Sequence, residues 1–148
     1  MLRKVFLFIF IFVSTVAFAQ NQPNILLILA DDLGWGDVGY HGSVIQTPRL
    51  DKLAEEGIEL DQHYVHPQCT PTRIGLLTGR QCSRFGIIRP VNIQCLPWNT
   101  ETLASALKSV GYTTGLFGKW HLGSKPEWGP NHYGFDYSYG SLAGAVHP

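Results

Sequence analysis

The chain has 148 residues, 45% of them hydrophobic and 15% charged, enough for one domain with a sizeable core. Its 11 Lys and Arg balance its 11 Asp and Glu. That balance excludes the basic field that nucleic-acid binding needs, and no polybasic patch is present to hold a membrane surface.

Residues 1–19 have the three parts of a secretory signal: Arg3 and Lys4 as the charged start, the apolar run Val5 to Val13, and Ala17-Phe18-Ala19 as a cleavage site before Gln20. The apolar run is too short to cross ~30 Å of hydrocarbon as a helix. The mature chain is therefore expected to be exported, to start near Gln20 and to keep no membrane anchor. No cysteine follows the cleavage site, so a lipid anchor is not indicated. Removing Arg3 and Lys4 from the 11 basic residues leaves 9 against 11 acidic ones, a net charge of −2.

Residues 24–30, Asn-Ile-Leu-Leu-Ile-Leu-Ala, form a continuous apolar run of strand length, as in a central parallel strand covered on both faces. Asp31 and Asp32 follow, then the glycine-rich loop to Asp37. Ligands of open α/β sheets bind just beyond the carboxyl ends of strands, and adjacent carboxylates there call for a cation. The alternative is a solvated turn. Thr47-Pro48 opens a predicted helix with Leu50, Leu53 and Ala54 on one face and Gly57 as its stop. Residues 58–65 alternate loosely and predict a strand. His63 and His66 beside it are expected to pack or hydrogen-bond, since neither has a second ligand at useful spacing.

Cys69-Thr70-Pro71-Thr72-Arg73 reads as a helix start, with Thr70 as cap and Pro71 at the first helical position. Cys69 then sits at the positive end of the helix dipole, where free N–H groups make an anion site, and Arg73 lies four residues on along the same face. Taken alone, such a cysteine could equally be a buried structural one. Residues 84–98 contain Pro90 and Pro97 without periodicity and predict a long surface loop. Thr100-Glu101 opens another helix, with Leu103, Ala106, Leu107 and Val110 inward and Gly111 as its stop. Residues 112–117 predict a short strand running into Gly118-Lys119-Trp120-His121-Leu122-Gly123; Lys119 and His121 share a face if the backbone stays extended. Residues 126–148 show no clear helix or strand. The order implies a parallel α/β sheet whose loops converge on one edge.

Cys69-Thr70-Pro71-Thr72-Arg73 with Leu77-Thr78-Gly79-Arg80 resembles the sulfatase signature, C-x-P-S/T-R followed by L-T-G-R/K. Residues 23–34 resemble that family's opening strand and metal loop, 47–57 its first helix, 115–123 its second signature, and Gly134-Phe135-Asp136 a turn after it. Within the family the chain looks closest to the arylsulfatase A and N-acetylgalactosamine-6-sulfatase branch. The resemblance implies the alkaline-phosphatase-like α/β fold, of which the chain would carry the N-terminal part: a signal peptide over 1–19 and a truncated catalytic domain over 20–148. Family members are far longer, and their remaining ligands come later in the chain.

Carried onto this sequence, the resemblance implies that Cys69 is oxidised to Cα-formylglycine by a formylglycine-generating enzyme. Asp31, Asp32 and residue 69 would hold a divalent cation, calcium or alternatively magnesium. Arg73 would hold the hydrated aldehyde, Lys119 a sulfate oxygen, and His121 the hydroxyl that does not attack. The implied substrate is a sulfated small molecule or glycan; the alternatives are a phosphate mono- or diester hydrolase of the same superfamily, or an inactive fragment. The implied location is periplasmic or extracellular, or lysosomal-type in a eukaryote. Converting Cys69 would leave Cys82 and Cys95 as an even pair, in a disulfide or as two thiols.

Overall fold

The computed structural model describes residues 22–144; the signal segment 1–19 and residues 145–148 lie outside them. The chain divides into two units, up to Ala30 and from Asp31 onward. Of the first, residues 22–30 form no helix or strand. The strand expected over 24–30 is therefore not formed, and Leu26 and Ile28 are 84% and 70% exposed. An apolar run becomes a strand only where neighbours take its N–H and C=O groups. Among the described residues the only sheet is a two-stranded one elsewhere in the chain.

In the second unit, α1 spans Pro48–Glu56, with Pro48 in its first turn and Gly57 at its end, as expected. The Thr47 hydroxyl does not cap the helix. It accepts the Gly39 N–H at 2.7 Å and donates to Asp51 at 2.7 Å, tying α1 to the preceding turn. No residue of α1 is buried. Residues 58–65 are irregular and exposed rather than a strand.

Helix α2 spans Cys69–Thr78. It starts two residues earlier than the Pro71 signal suggests, with Gln68 as the N-cap residue and Pro71 third. Pro71 is tolerated there because the first four N–H groups of a helix have no intrahelical acceptor. Gly79 ends the helix in the left-handed conformation, φ 64°, donating its N–H to Gly75. Ile74 and Leu77 pack into a core with Cys82, Ile87, Cys95, Leu96, Trp120, Leu122 and Tyr133. Each such side chain contributes about 1.5–3 kcal/mol of burial. A 3-10 turn over Cys82–Phe85 opens the stretch 84–98; the rest is irregular but not a surface loop, because it threads Ile87, Cys95 and Leu96 into this core. Polar edges are satisfied within it: the Trp120 indole donates to the Trp128 carbonyl at 2.9 Å, and the Tyr133 hydroxyl to the Leu96 carbonyl at 2.7 Å.

Cys82 and Cys95 are buried free thiols, so the disulfide is not formed. Each sulfur has its own neighbour: His66 Nε2 lies 3.7 Å from Cys82, and Cys95 donates to the Ile93 carbonyl at 3.3 Å. Burial pushes the Cys95 thiol up to about 11. His66 thus hydrogen-bonds, as expected, whereas His63 is exposed.

Helix α3, Leu103–Ser109, opens on Thr102, whose hydroxyl accepts the Ser105 N–H while Ser105 reaches back to the Thr102 N–H. Its buried residue is Ala104; Leu103 and Val110, expected inward, are 40% and 57% exposed. Strand β1, Gly115–Phe117, pairs in parallel with β2, Tyr137–Tyr139, in the register Leu116 to Ser138. The sequence did not announce β2. Asp136 fixes its start by accepting from the Thr114 N–H and hydroxyl and pairing with Lys108. Pairing continues past β1: Gly118 donates to Tyr139, Trp120 to Ser141 and His121 to Leu142. Residues 118–121 are thereby held along 139–142, which is what positions Lys119 and His121; Gly118 at φ 127° and His121 at φ 55° break the extended backbone that would put the two side chains on one face.

Candidate active site

Cys69 is the first residue of α2, where N–H groups lack intrahelical acceptors. Asp31, Asp32 and Cys69 each offer a ligand atom, all within 4.8 Å of one another. Asp32 holds φ at 59°, a left-handed conformation that costs about 1–3 kcal/mol and that the surroundings must impose. Lys119 Nζ lies 2.7 Å from Asp31 Oδ2 and 3.4 Å from Cys69 Sγ. Arg73 donates to Asp31 Oδ1 at 3.2 Å and to the Lys119 carbonyl. Five of the six residues expected from the sequence, Asp31, Asp32, Cys69, Arg73 and Lys119, therefore meet.

Lys119 holds the Asp31 carboxyl below its ordinary value; burial opposes this and Arg73 adds to it. Burial works against the Lys119 charge, but Asp31 and Cys69 outweigh it and raise its pKa. His121 sits beside this group, buried, with φ at 55°. Burial first, then the charges of Lys119 and Arg73, lower its pKa, which favours the neutral ring near pH 7. Arg73 Nε and His121 Nδ1 are buried without a hydrogen-bond partner among the described residues. Each such group costs about 1–3 kcal/mol.

The donor set fits a hard divalent cation in part. Two carboxylates supply hard oxygens, but a thiolate is a soft ligand and suits calcium or magnesium poorly. The Cys69 sulfur stands where a formylglycine would present oxygen, and with that change all three donors become oxygens. Calcium takes six to eight, so three are a fraction of a full shell.

Two features of the site were not anticipated. Thr70, fully buried, donates to the His121 carbonyl at 3.1 Å and accepts the Val91 N–H at 3.4 Å. Its place on the stripe of Ile74 and Leu77 was the available signal. Gly144 lies so close to the His121 ring that a Cβ there would run into Nε2, Cε1 and Cδ2; nothing local in the sequence marks it.

Two carboxylates, a helix-mouth residue and the two positive side chains of Arg73 and Lys119 are brought together by this scaffold, an arrangement that could hold a cation and an anion side by side. The sulfatase family profile matches residues 23–146. Mouse arylsulfatase J is 50% identical over 130 residues, which are 84% of this chain and 22% of that protein. The solved PsFucS1 sulfatase from Pseudoalteromonas sp. is 40% identical at a TM-score of 0.73, over 88% of this chain and 28% of that one. The structure of Ps i-CgsB in complex with k-i-k-neocarrahexaose is 41% identical at a TM-score of 0.74, over 84% and 29%. The chain belongs to the sulfatase family and takes part of its alkaline-phosphatase-like fold. It spans less than a third of the length of these relatives.

Proposed function

We propose that this chain carries active-site residues of an exported sulfuric-ester hydrolase acting on sulfated glycans or small sulfate esters. The observation that carries the reading is the meeting of Asp31, Asp32, Cys69, Arg73 and Lys119 within ligand and hydrogen-bond reach. Similarity to arylsulfatases and to a sulfatase-family structure holding a hexaose supports the substrate class. The secretory pattern of residues 1–19 supports export, to the periplasm or outside, or to a lysosomal-type compartment in a eukaryote. A phosphate-ester reading is less favoured, since the matched relatives are sulfatases.

Residues Asp31, Asp32 and 69 would hold a divalent cation, calcium or magnesium, which when bound polarises the ester and acidifies the nucleophile. Converted to formylglycine, residue 69 supplies a hydrated aldehyde with one hydroxyl to accept the sulfuryl group and a second through which it is released. The Cys69-Thr70-Pro71-Thr72-Arg73 motif is what the oxygen-dependent formylglycine-generating enzyme would read. Arg73 sets a fixed positive charge beside residue 69 and, anchored on the Lys119 carbonyl, keeps the two cations together. Lys119, within 3.4 Å of the residue 69 side chain, binds a sulfate oxygen and stabilises charge on it as the ester bond breaks. Neutral His121 holds a proton acceptor or donor toward the hydroxyl that does not attack.

The test is turnover of an aryl sulfate against an aryl phosphodiester by the full-length protein containing this chain. Faster turnover of the sulfate is expected. Faster turnover of the diester would overturn the assignment.

A further inference from the structure

We infer that Thr70 and Gly144 are positioning residues for His121, holding its backbone and ring in the one orientation the reaction uses. This rests on the role given to His121 above. His121 is only 6% exposed and sits at φ 55°, a left-handed conformation uncommon for any residue but glycine and costing about 1–3 kcal/mol. Three contacts hold it there. Its N–H is fixed to the Leu142 carbonyl at 3.0 Å. Its carbonyl is fixed by the Thr70 hydroxyl at 3.1 Å, and that hydroxyl is itself held by the Val91 N–H. Its ring lies against Gly144, whose N–H is tied to the Asn92 side chain at 3.2 Å. The Asn92 carbonyl also accepts from the Ser124 N–H and hydroxyl, so Gly144 and the C-terminal end of residues 118–124 are stapled to one residue.

Thr70 is the residue after Cys69, so the same turn that presents the reacting position also sets the histidine beside it. One hydroxyl couples them: moving α2 moves His121 with it. The bland reading of Thr70, a space-filling core threonine, accounts for its burial but not for its donating to a strained residue 51 positions away. For Gly144, any side chain must push the ring aside, because the space is already taken by the imidazole.

The experiment compares Thr70→Val, Thr70→Ser and Gly144→Ala in the full-length protein. It reads kcat and KM per molecule converted at residue 69, as counted by peptide mass spectrometry, and the ring NMR signals of His121. Thr70→Val and Gly144→Ala are expected to lower kcat roughly 10- to 100-fold with KM within about threefold, and to shift or double the His121 signals. Thr70→Ser keeps the hydroxyl and should restore both to near wild type. His121 signals unchanged in Thr70→Val and in Gly144→Ala would overturn the inference, as would equal loss in Thr70→Ser and Thr70→Val. Should the unaltered protein turn over no sulfate ester, the proposed function fails, while the His121 signals still decide the positioning claim. Gly144→Ala lies outside the core, so it remains informative if Thr70→Val does not fold.

Discussion

Helices α1 and α2 are of similar length but are held by different forces. α1 has a clean apolar stripe and clear start and stop residues, yet buries nothing. α2 has a weak stripe, an internal proline and threonines, yet buries Thr70, Pro71, Arg73, Ile74 and Leu77. The first is a helix by local rule, held by Thr47, Pro48 and Asp51 at its start. The second is a helix because a core and a charged site close around it. Chemistry sits on the second kind, because a reacting position needs neighbours that fix it from several sides.

The largest expected effect lies at the mouth of α2. Cys69→Ala in the full-length protein should reduce sulfate-ester turnover to background. Arg73→Ala should cut kcat roughly 10²- to 10³-fold, the scale for losing one positioned charge donor. Arg73→Lys should recover only part, because lysine cannot reach both Asp31 and the Lys119 carbonyl with a fixed fork. Steady-state assays on converted protein check all three.

Next comes packing. Ile74→Ala should cost about 2–5 kcal/mol in a denaturant titration, since Ile74 is wholly buried. Leu53→Ala in α1 should cost under about 0.5 kcal/mol, because Leu53 is 62% exposed. A cost for Leu53→Ala approaching that of Ile74→Ala would break the contrast between the helices. Thr102→Ala, which removes both the α3 cap and the bond to the Tyr133 carbonyl at 2.6 Å, should fall between, at about 1–2 kcal/mol.

A smaller effect is set by pH. Lys108 first, then the Thr114 N–H, hold the Asp136 carboxyl below its ordinary value. A lowered folded value means the unfolded chain binds the proton more readily. The stabilisation is therefore present above the ordinary value near 4 and is lost as pH falls through the lowered one. Asp136→Asn should lower the thermal midpoint at pH 7, and the gap to wild type should close as the pH falls below the ordinary carboxylate range and through the lowered value. A gap that persists in acid would place the effect in packing. Smallest of all is Lys52→Ala, which breaks the exposed Lys52–Glu56 pair of α1 at 3.5 Å and should change stability by no more than a few tenths of a kcal/mol.

What the sequence made legible follows the same division. Local rules predicted α1, the stop at Gly57 and the presence of a helix at Cys69, because caps, prolines and glycines act within one turn. The family motifs marked Asp31, Asp32, Cys69, Arg73, Lys119 and His121, and all but His121 share direct contacts in the structure. The strands expected over 24–30 and 58–65 depend on partners that an apolar pattern does not supply. The burial of Ile87, Cys95 and Leu96 has no period to betray it. β2 is three residues long and exposed, so it exists through Asp136 and its pairing with β1 rather than through its own side chains. Thr70 and Gly144 meet His121 across long stretches of chain, so no local rule announces the contacts that hold its left-handed backbone.

The most direct test of the central claim is peptide mass spectrometry of residue 69 in active full-length protein. The account predicts loss of the cysteine sulfur and an aldehyde at this one position, in proportion to activity. An intact Cys69 thiol in fully active protein would contradict it.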